Sequence, residues 1–151
     1  MSSDAAGMDA GPVAALVDRA DIVDRLSRYC YAVDFGDWSL LDLVFAEDVS
    51  ATYILEPHGL DDVHFSDRDS TVGWLRSVLG ETSGQVPLHA MTNHLVSVDG
   101  DAARSRSYLA GRPGMYTVEW RRTAEGWRAA TWEMRNFSLP RGTQPGRQAD
   151  R

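Results

Sequence analysis

The chain has 151 residues, a formal net charge of −7, and 43% hydrophobic against 25% charged side chains. That balance belongs to a globular chain with one sizeable core, and the length favours a single domain. The negative charge argues against non-specific affinity for nucleic acid or an anionic membrane surface, and no apolar run reaches the roughly 20 residues of a membrane-spanning helix.

Cys30 is the single cysteine, which excludes an intrachain disulfide and a cysteine-based zinc site and reads as a small buried core residue. The opening MSSDAAGMDAGP has neither a basic start nor an apolar segment. No signal peptide is visible, so a cytoplasmic location is the expectation.

Residues 1–11 are small and polar and are expected to be flexible. Pro12 can open a helix, after which Ala15, Ile22, Leu26, Tyr29, Cys30 and Val33 recur at helical spacing. Gly36 is the expected stop, and a short second helix should run from Trp38 to about Phe45. DVSATYIL, residues 48–55, alternates as a strand does. EPHGLDDVHF reads as irregular. A third helix follows, capped by Ser66, Asp67 or Ser70 and ended by Gly80, with Val72, Leu75, Val78 and Leu79 on its apolar face. The second half changes to strands. Two long ones flank Asp99-Gly100-Asp101, a hairpin signal, and two more meet at Ala124-Glu125-Gly126. The tail at 140–151 carries prolines and glycines and is expected to be flexible, leaving 12–139 as the domain. Helices first and an antiparallel meander last imply an α+β fold, with helices on one face of a curved sheet and a pocket on its concave side.

Three side chains are candidates for chemistry. Asp34 lies at the edge of the first helix's apolar stripe and near its C-terminus, where the macrodipole and partial burial both oppose a carboxylate anion. A solvated aspartate before a turn is the alternative. His89 stands in PLHAMTNHLVSV. Strand alternation places His89, Met91, Asn93 and Leu95 on one face and Ala90, Thr92, His94 and Val96 on the other, without saying which face is inside. Histidine is the usual acid–base side chain near neutral pH, and a hydrogen-bonded structural role is the alternative. Tyr53 shares a strand face with Val49, Ala51 and Leu55 and can donate a hydrogen bond to a substrate oxygen, or simply pack. The tryptophans at 74, 120, 127 and 132 read as core or pocket-wall groups. His58 and His64 read as surface or loop residues. No glycine-rich phosphate loop, nucleophile elbow or metal-spaced histidine pair is present, and nothing suggests a cofactor.

DIVDRLSRYCYAVDFGDWSLLDLVFAEDV at 21–49, HAMTNHLVSVDGDAARSRSYLAG at 89–111 and WRRTAEGWR at 120–128 together resemble the SnoaL-like and scytalone dehydratase-like branch of the nuclear transport factor 2-like superfamily. The similarity runs from about residue 13 to 138. It implies a cone-shaped barrel, a strongly curved antiparallel sheet wrapped around three N-terminal helices with a deep apolar pocket. It also implies roles. Asp34 takes the place of the carboxylate that orients the catalytic histidine, His89 that of the histidine, and Tyr53 that of a tyrosine holding a water or carbonyl oxygen. The branch's second histidine would fall near Pro113-Gly114, and the tyrosine before its aspartate is Val33 here.

The expected function is cofactor-free, metal-free acid–base catalysis on a small, largely apolar carbonyl or polyketide-like molecule, by dehydration, isomerisation or cyclisation. Asp34, His89 and Tyr53 would be catalytic, and Tyr31, Asn93, Met91 and Trp74 would hold substrate. A homodimer or higher homo-oligomer is expected. The alternatives are a non-catalytic ligand-binding or assembly module, and an accessory subunit resembling the small subunit of ring-hydroxylating dioxygenases.

Overall fold

The computed structural model describes residues 10–55, 59–80, 86–111 and 113–137. Residues 1–9 of the expected tail at 1–11, the expected tail at 140–151, and His58 lie outside them.

Helix α1 spans Ala10–Phe35, starting before Pro12. The expected short second helix follows as a 3-10 helix, Trp38–Leu43. Then come β1 (Phe45–Ile54), β2 (Val63–Phe65), α2 (Arg68–Leu79), β3 (Ala90–Asp99), β4 (Ala102–Ala110), β5 (Gly114–Thr123) and β6 (Gly126–Asn136). The six strands form one sheet in the order β2-β1-β6-β5-β4-β3. Its pairings are antiparallel except β1 with β6, which run parallel. Register breaks in β1, β3 and the β5–β6 pair bend it. The result is the α+β architecture expected, a curved sheet with the helices packed on it. β2 corrects the irregular reading of its segment. At three residues it is too short for alternation to show, and it exists because it pairs with β1, Thr52 opposite His64.

Local chemistry explains the boundaries. Gly36 at φ 72° ends α1 in a conformation that a β-carbon opposes. Asp67 is the cap of α2, its Oδ1 accepting from the Ser70 amide at 2.7 Å. Gly100 and Gly126, also at positive φ, make the two hairpin turns.

The core is aromatic. Trp132 is its hub, with ring centroids 4.5 Å from Tyr29, 5.1 Å from Phe45 and 5.4 Å from Tyr116. From α1 it takes Ile22, Leu26, Tyr29, Cys30, Ala32 and Val33, all buried. Ala15, expected on that stripe, is exposed, as are Val13, Leu16 and Val17. Polar contacts hold the first half of α1 instead. Asp18 receives both terminal nitrogens of Arg122 at 2.8 Å and Trp127 Nε1 at 3.1 Å, while Arg122 lies 4.4 Å over the Trp127 ring. Arg19 donates to the carbonyls of Val96 and His94 on β3, the edge strand.

Two outcomes follow. Ile22→Ala, at a site with 0% exposure, should cost about 2–5 kcal/mol in urea unfolding, whereas Leu16→Ala should leave the midpoint unchanged. The Arg122 hydrogen bonds hold the Asp18 carboxyl below its ordinary range. Its stabilisation is therefore present above about pH 4 and is lost as pH falls through the lower, folded-state value. Asp18→Asn should flatten the acid limb of a stability–pH curve and leave its neutral limb parallel to wild type.

Candidate active site

Asp34 lies in the last turn of α1, and His89 immediately precedes β3. Though 55 residues apart, they meet. Asp34 Oδ1 is 2.6 Å from His89 Nδ1. The same carboxylate accepts the His89 backbone N–H, at 3.0 Å to Oδ1 and 2.8 Å to Oδ2. One carboxylate thus fixes both the main chain and the ring of His89. The side chains are 6% and 11% exposed, Asp34 and His89 respectively. An ionised carboxylate only accepts, so Nδ1–H is the donor of this contact, and in the neutral tautomer that fits it the lone pair is at Nε2. Leu88, just before, sits at φ 51°, a conformation unfavourable for a branched side chain and maintained by its surroundings. The edge of Tyr29 packs on the His89 ring at 6.5 Å.

A cavity of about 360 Å³ opens beside the dyad, along the seam between α1 and β3. Cys30 and Met91 are on its wall, as are Tyr31, Phe35 and Leu88, whose exposures of 62%, 64% and 70% place them at the mouth. The Tyr31 and Phe35 rings stack at 6.0 Å. Burial pushes the Cys30 thiol up to about 11, with the Asp34 carboxylate adding to the effect. It stays a thiol at neutral pH, a wall group with no nucleophilic role. The polar lining side chains include Asp34, His89 and His94.

Of the residues anticipated from sequence, Asp34, His89, Tyr31 and Met91 share this cavity. Three do not. Tyr53 is in the core at 1% exposure, with Trp74 at 4.6 Å from its ring. Its Oη has no hydrogen-bond partner among the described residues. The Tyr29 hydroxyl is near enough to ease its ionisation slightly but lacks bonding geometry. Burial is the larger influence and pushes the phenol up. Trp74 packs on Tyr53 and Phe65, away from the seam. Asn93 is exposed, which corrects the face predicted by alternation. Register breaks between Thr92 and Leu95, with Asn93 at φ 55°. The extra residue reverses the phase of β3, so Met91 faces in before the break and His94, Val96 and Val98 face in after it.

His94 is therefore the polar cavity residue that strand alternation misplaces. Its Nδ1 lies 2.8 Å from Ser107 Oγ. The available signal was the asparagine before it, a residue that tolerates the left-handed conformation a bulge requires. His64, in contrast, is exposed on β2 with Nδ1 3.0 Å from Thr52 Oγ1.

The sequence pattern of the SnoaL-like domain matches residues 14–133. No curated protein matches the chain in sequence. Solved structures do. A candidate aromatic ring hydroxylase from Novosphingobium aromaticivorans is 30% identical, over 82% of this chain and 92% of its own, with a TM-score of 0.67. An ntf2-like protein with a cystatin-like fold from the same organism is 22% identical, over 93% and 95%, at 0.69. A candidate scytalone dehydratase, also from that organism, is 20% identical, over 82% and 86%, at 0.67. The last two likenesses concern the fold. No helix among the described residues is long and apolar enough to cross a membrane. With the family pattern spanning most of the domain and its fold shared by these structures, the chain belongs to the SnoaL-like domain family.

Proposed function

We propose that the protein is a general acid–base enzyme acting on a small, largely apolar carbonyl compound, with Asp34 and His89 as its catalytic pair. The observation that carries this reading is the double grip of Asp34 on His89, on the wall of a mostly apolar cavity. A histidine needed only for packing does not require its ring and amide to be held by one carboxylate. A base needs a fixed ring, a set tautomer and a free lone pair.

His89 Nε2 takes a proton from the carbon next to the carbonyl, and the electron pair of that bond passes toward the oxygen as an enolate forms. Asp34 stays ionised, holds the tautomer and stabilises the imidazolium. The imidazolium then returns the proton to carbon for isomerisation or cyclisation, or to a departing hydroxyl for dehydration. The reaction class fits a family whose members include isomerases, dehydratases and cyclases, and the fold neighbour named as a candidate scytalone dehydratase lies on the same side. Tyr53 has no place in this step, because its hydroxyl is in the core.

A second reading, ligand binding without turnover, draws on the exposed rim of Tyr31, Phe35 and Leu88. Enzymes that form enolates benefit from excluding water, and this mouth is open.

Turnover of a panel of cyclic ketones and polyketide-like diketones separates the two. His89→Ala should lower kcat by about 10²–10⁴-fold, and Asp34→Asn should lower it less, since the ring stays though its tautomer is freed. Equal turnover in wild type and both variants removes the pair from the mechanism. Tight binding with no turnover of any panel member supports the binding module. Apart from catalysis, Asp34→Ala should destabilise by about 1–3 kcal/mol in urea unfolding, because it strands a part-buried amide and ring N–H. Asp34→Asn, which keeps one acceptor, should lose less.

A further inference from the structure

Acidic side chains outnumber basic ones 22 to 15 in this chain, so an unpaired cation is the exception to explain. Arg28, Arg68, Arg121, Arg122, Arg128 and Arg135 each pair with a carboxylate. Arg19, Arg104 and Arg106 pair with none among the described residues, and these three stand together. They line one cavity of about 430 Å³, which no described carboxylate lines. Arg104 and Arg106 are exposed on the same face of β4, two residues apart, about 7 Å along the strand. Arg106 is the cross-strand partner of Leu95. Arg19 reaches the same place from α1. It donates to the carbonyls of Val96 and His94, on either side of Leu95, at 3.1 and 3.3 Å. Those bonds fix its guanidinium and leave it N–H donors to spare.

Edge protection accounts for Arg19 but not for the other two, because β4 is an interior strand of the sheet. Glu119 lies opposite Arg104 on β5, yet the two form no ion pair. Burial, then the Arg19 charge, holds the His94 imidazole below its ordinary value, as an unneutralised cation nearby would. Like charges in one recess repel one another. A bound oxyanion removes that repulsion and takes bidentate hydrogen bonds from guanidinium groups. A second cavity, of about 330 Å³, shares Leu95 and Arg106 with the first and adds Tyr108 and Met115. Leu95 and Tyr108 are 60% and 53% exposed, so an apolar surface lies directly beside the charge.

We propose that this face of β3 and β4 is a binding site for a soluble phosphomonoester with an aromatic body. The phosphate sits among Arg19, Arg104 and Arg106, and the ring lies on Leu95 and Tyr108. A phosphomonoester suits three guanidinium groups, since it presents three strong acceptor oxygens and about two negative charges at pH 7. A small anion can enter a local positive recess, whereas an anionic membrane surface meets the repulsion of a chain of net charge −7. Neither Asp34 nor His89 takes part, so this site is independent of the acid–base reading.

The test is calorimetric titration of the full chain, at low ionic strength, with phenyl phosphate, inorganic phosphate and phenol. Phenyl phosphate should bind one per chain and about tenfold more tightly than inorganic phosphate, through the ring it buries. Phenol should not bind. Raising the salt should weaken both anions, as screening requires. Arg104→Gln and Arg106→Gln should each lower affinity for both anions by about tenfold, the worth of a charge-assisted hydrogen bond. Glu119→Gln should raise it, and Arg76→Gln, on α2, should leave it unchanged. Tyr108→Ala should bring phenyl phosphate down to the level of inorganic phosphate. All five residues are exposed, so folding is not at stake. No binding of phenyl phosphate, an affinity unchanged in both Arg104→Gln and Arg106→Gln, or the same loss in Arg76→Gln overturns the site. Equal affinity of wild type for the two phosphates overturns the aromatic body. Binding to phosphatidylcholine vesicles that contain phosphatidic acid, in preference to phenyl phosphate, overturns the assignment to a soluble ester.

Discussion

The grip of one carboxylate on both the amide and the imidazole of His89 is the constraint that organises the rest of the site. It joins the end of α1 to the start of β3, an edge strand with neighbours on one side only. The end of a helix is an unfavourable place for an anion, and charge-assisted donors from His89 offset that cost. The position is determined by where α1 stops. Gly36 turns the chain at φ 72° two residues later, so Asp34 is held in the final turn and not carried past the strand.

Core and cavity divide the aromatic residues between them. Trp132, Phe45, Tyr116, Tyr53 and four further tryptophans fill the core or pack against it. Space for a ligand is found at the α1–β3 seam, where Tyr31, Phe35 and Leu88 form an apolar rim. Tyr29 belongs to both regions, packing on Trp132 and edge-on to His89. Movement in the core is thereby felt at the His89 ring, since interiors packed at crystal density transmit displacement.

Polar contacts do for the first half of α1 what apolar burial does for the second. Asp18 and Arg19 reach the sheet from a stretch whose apolar residues face outward. Arg19 also occupies carbonyls on the open edge of β3, which would otherwise be free to pair with another strand. The same arginine supports the backbone at His94, so edge protection and site geometry share a residue.

Much of this was legible in the chain itself. Helical spacing gave the buried stripe from Ile22 to Val33, Gly36 its end, and Asp-Gly and Glu-Gly the hairpins, because these signals depend on neighbours a few residues apart. Asp34 and His89 were recognisable as candidates, each by its own position and by family resemblance. Their meeting was decided only by the folded chain, since no local rule acts across 55 residues. Tyr53 shows the limit of face counting. Its strand face was read correctly as one set, but whether that set meets a pocket or a core depends on what packs opposite, and Trp74 fills the space. β3 shows a second limit. Alternation with period two is reliable only in an unbroken ladder, and the bulge at Asn93 exchanges it for His94. The sequence by itself determined which groups were available for acid–base chemistry. The tertiary structure decided which of them share a cavity, because one inserted residue reverses every side chain that follows it along the strand.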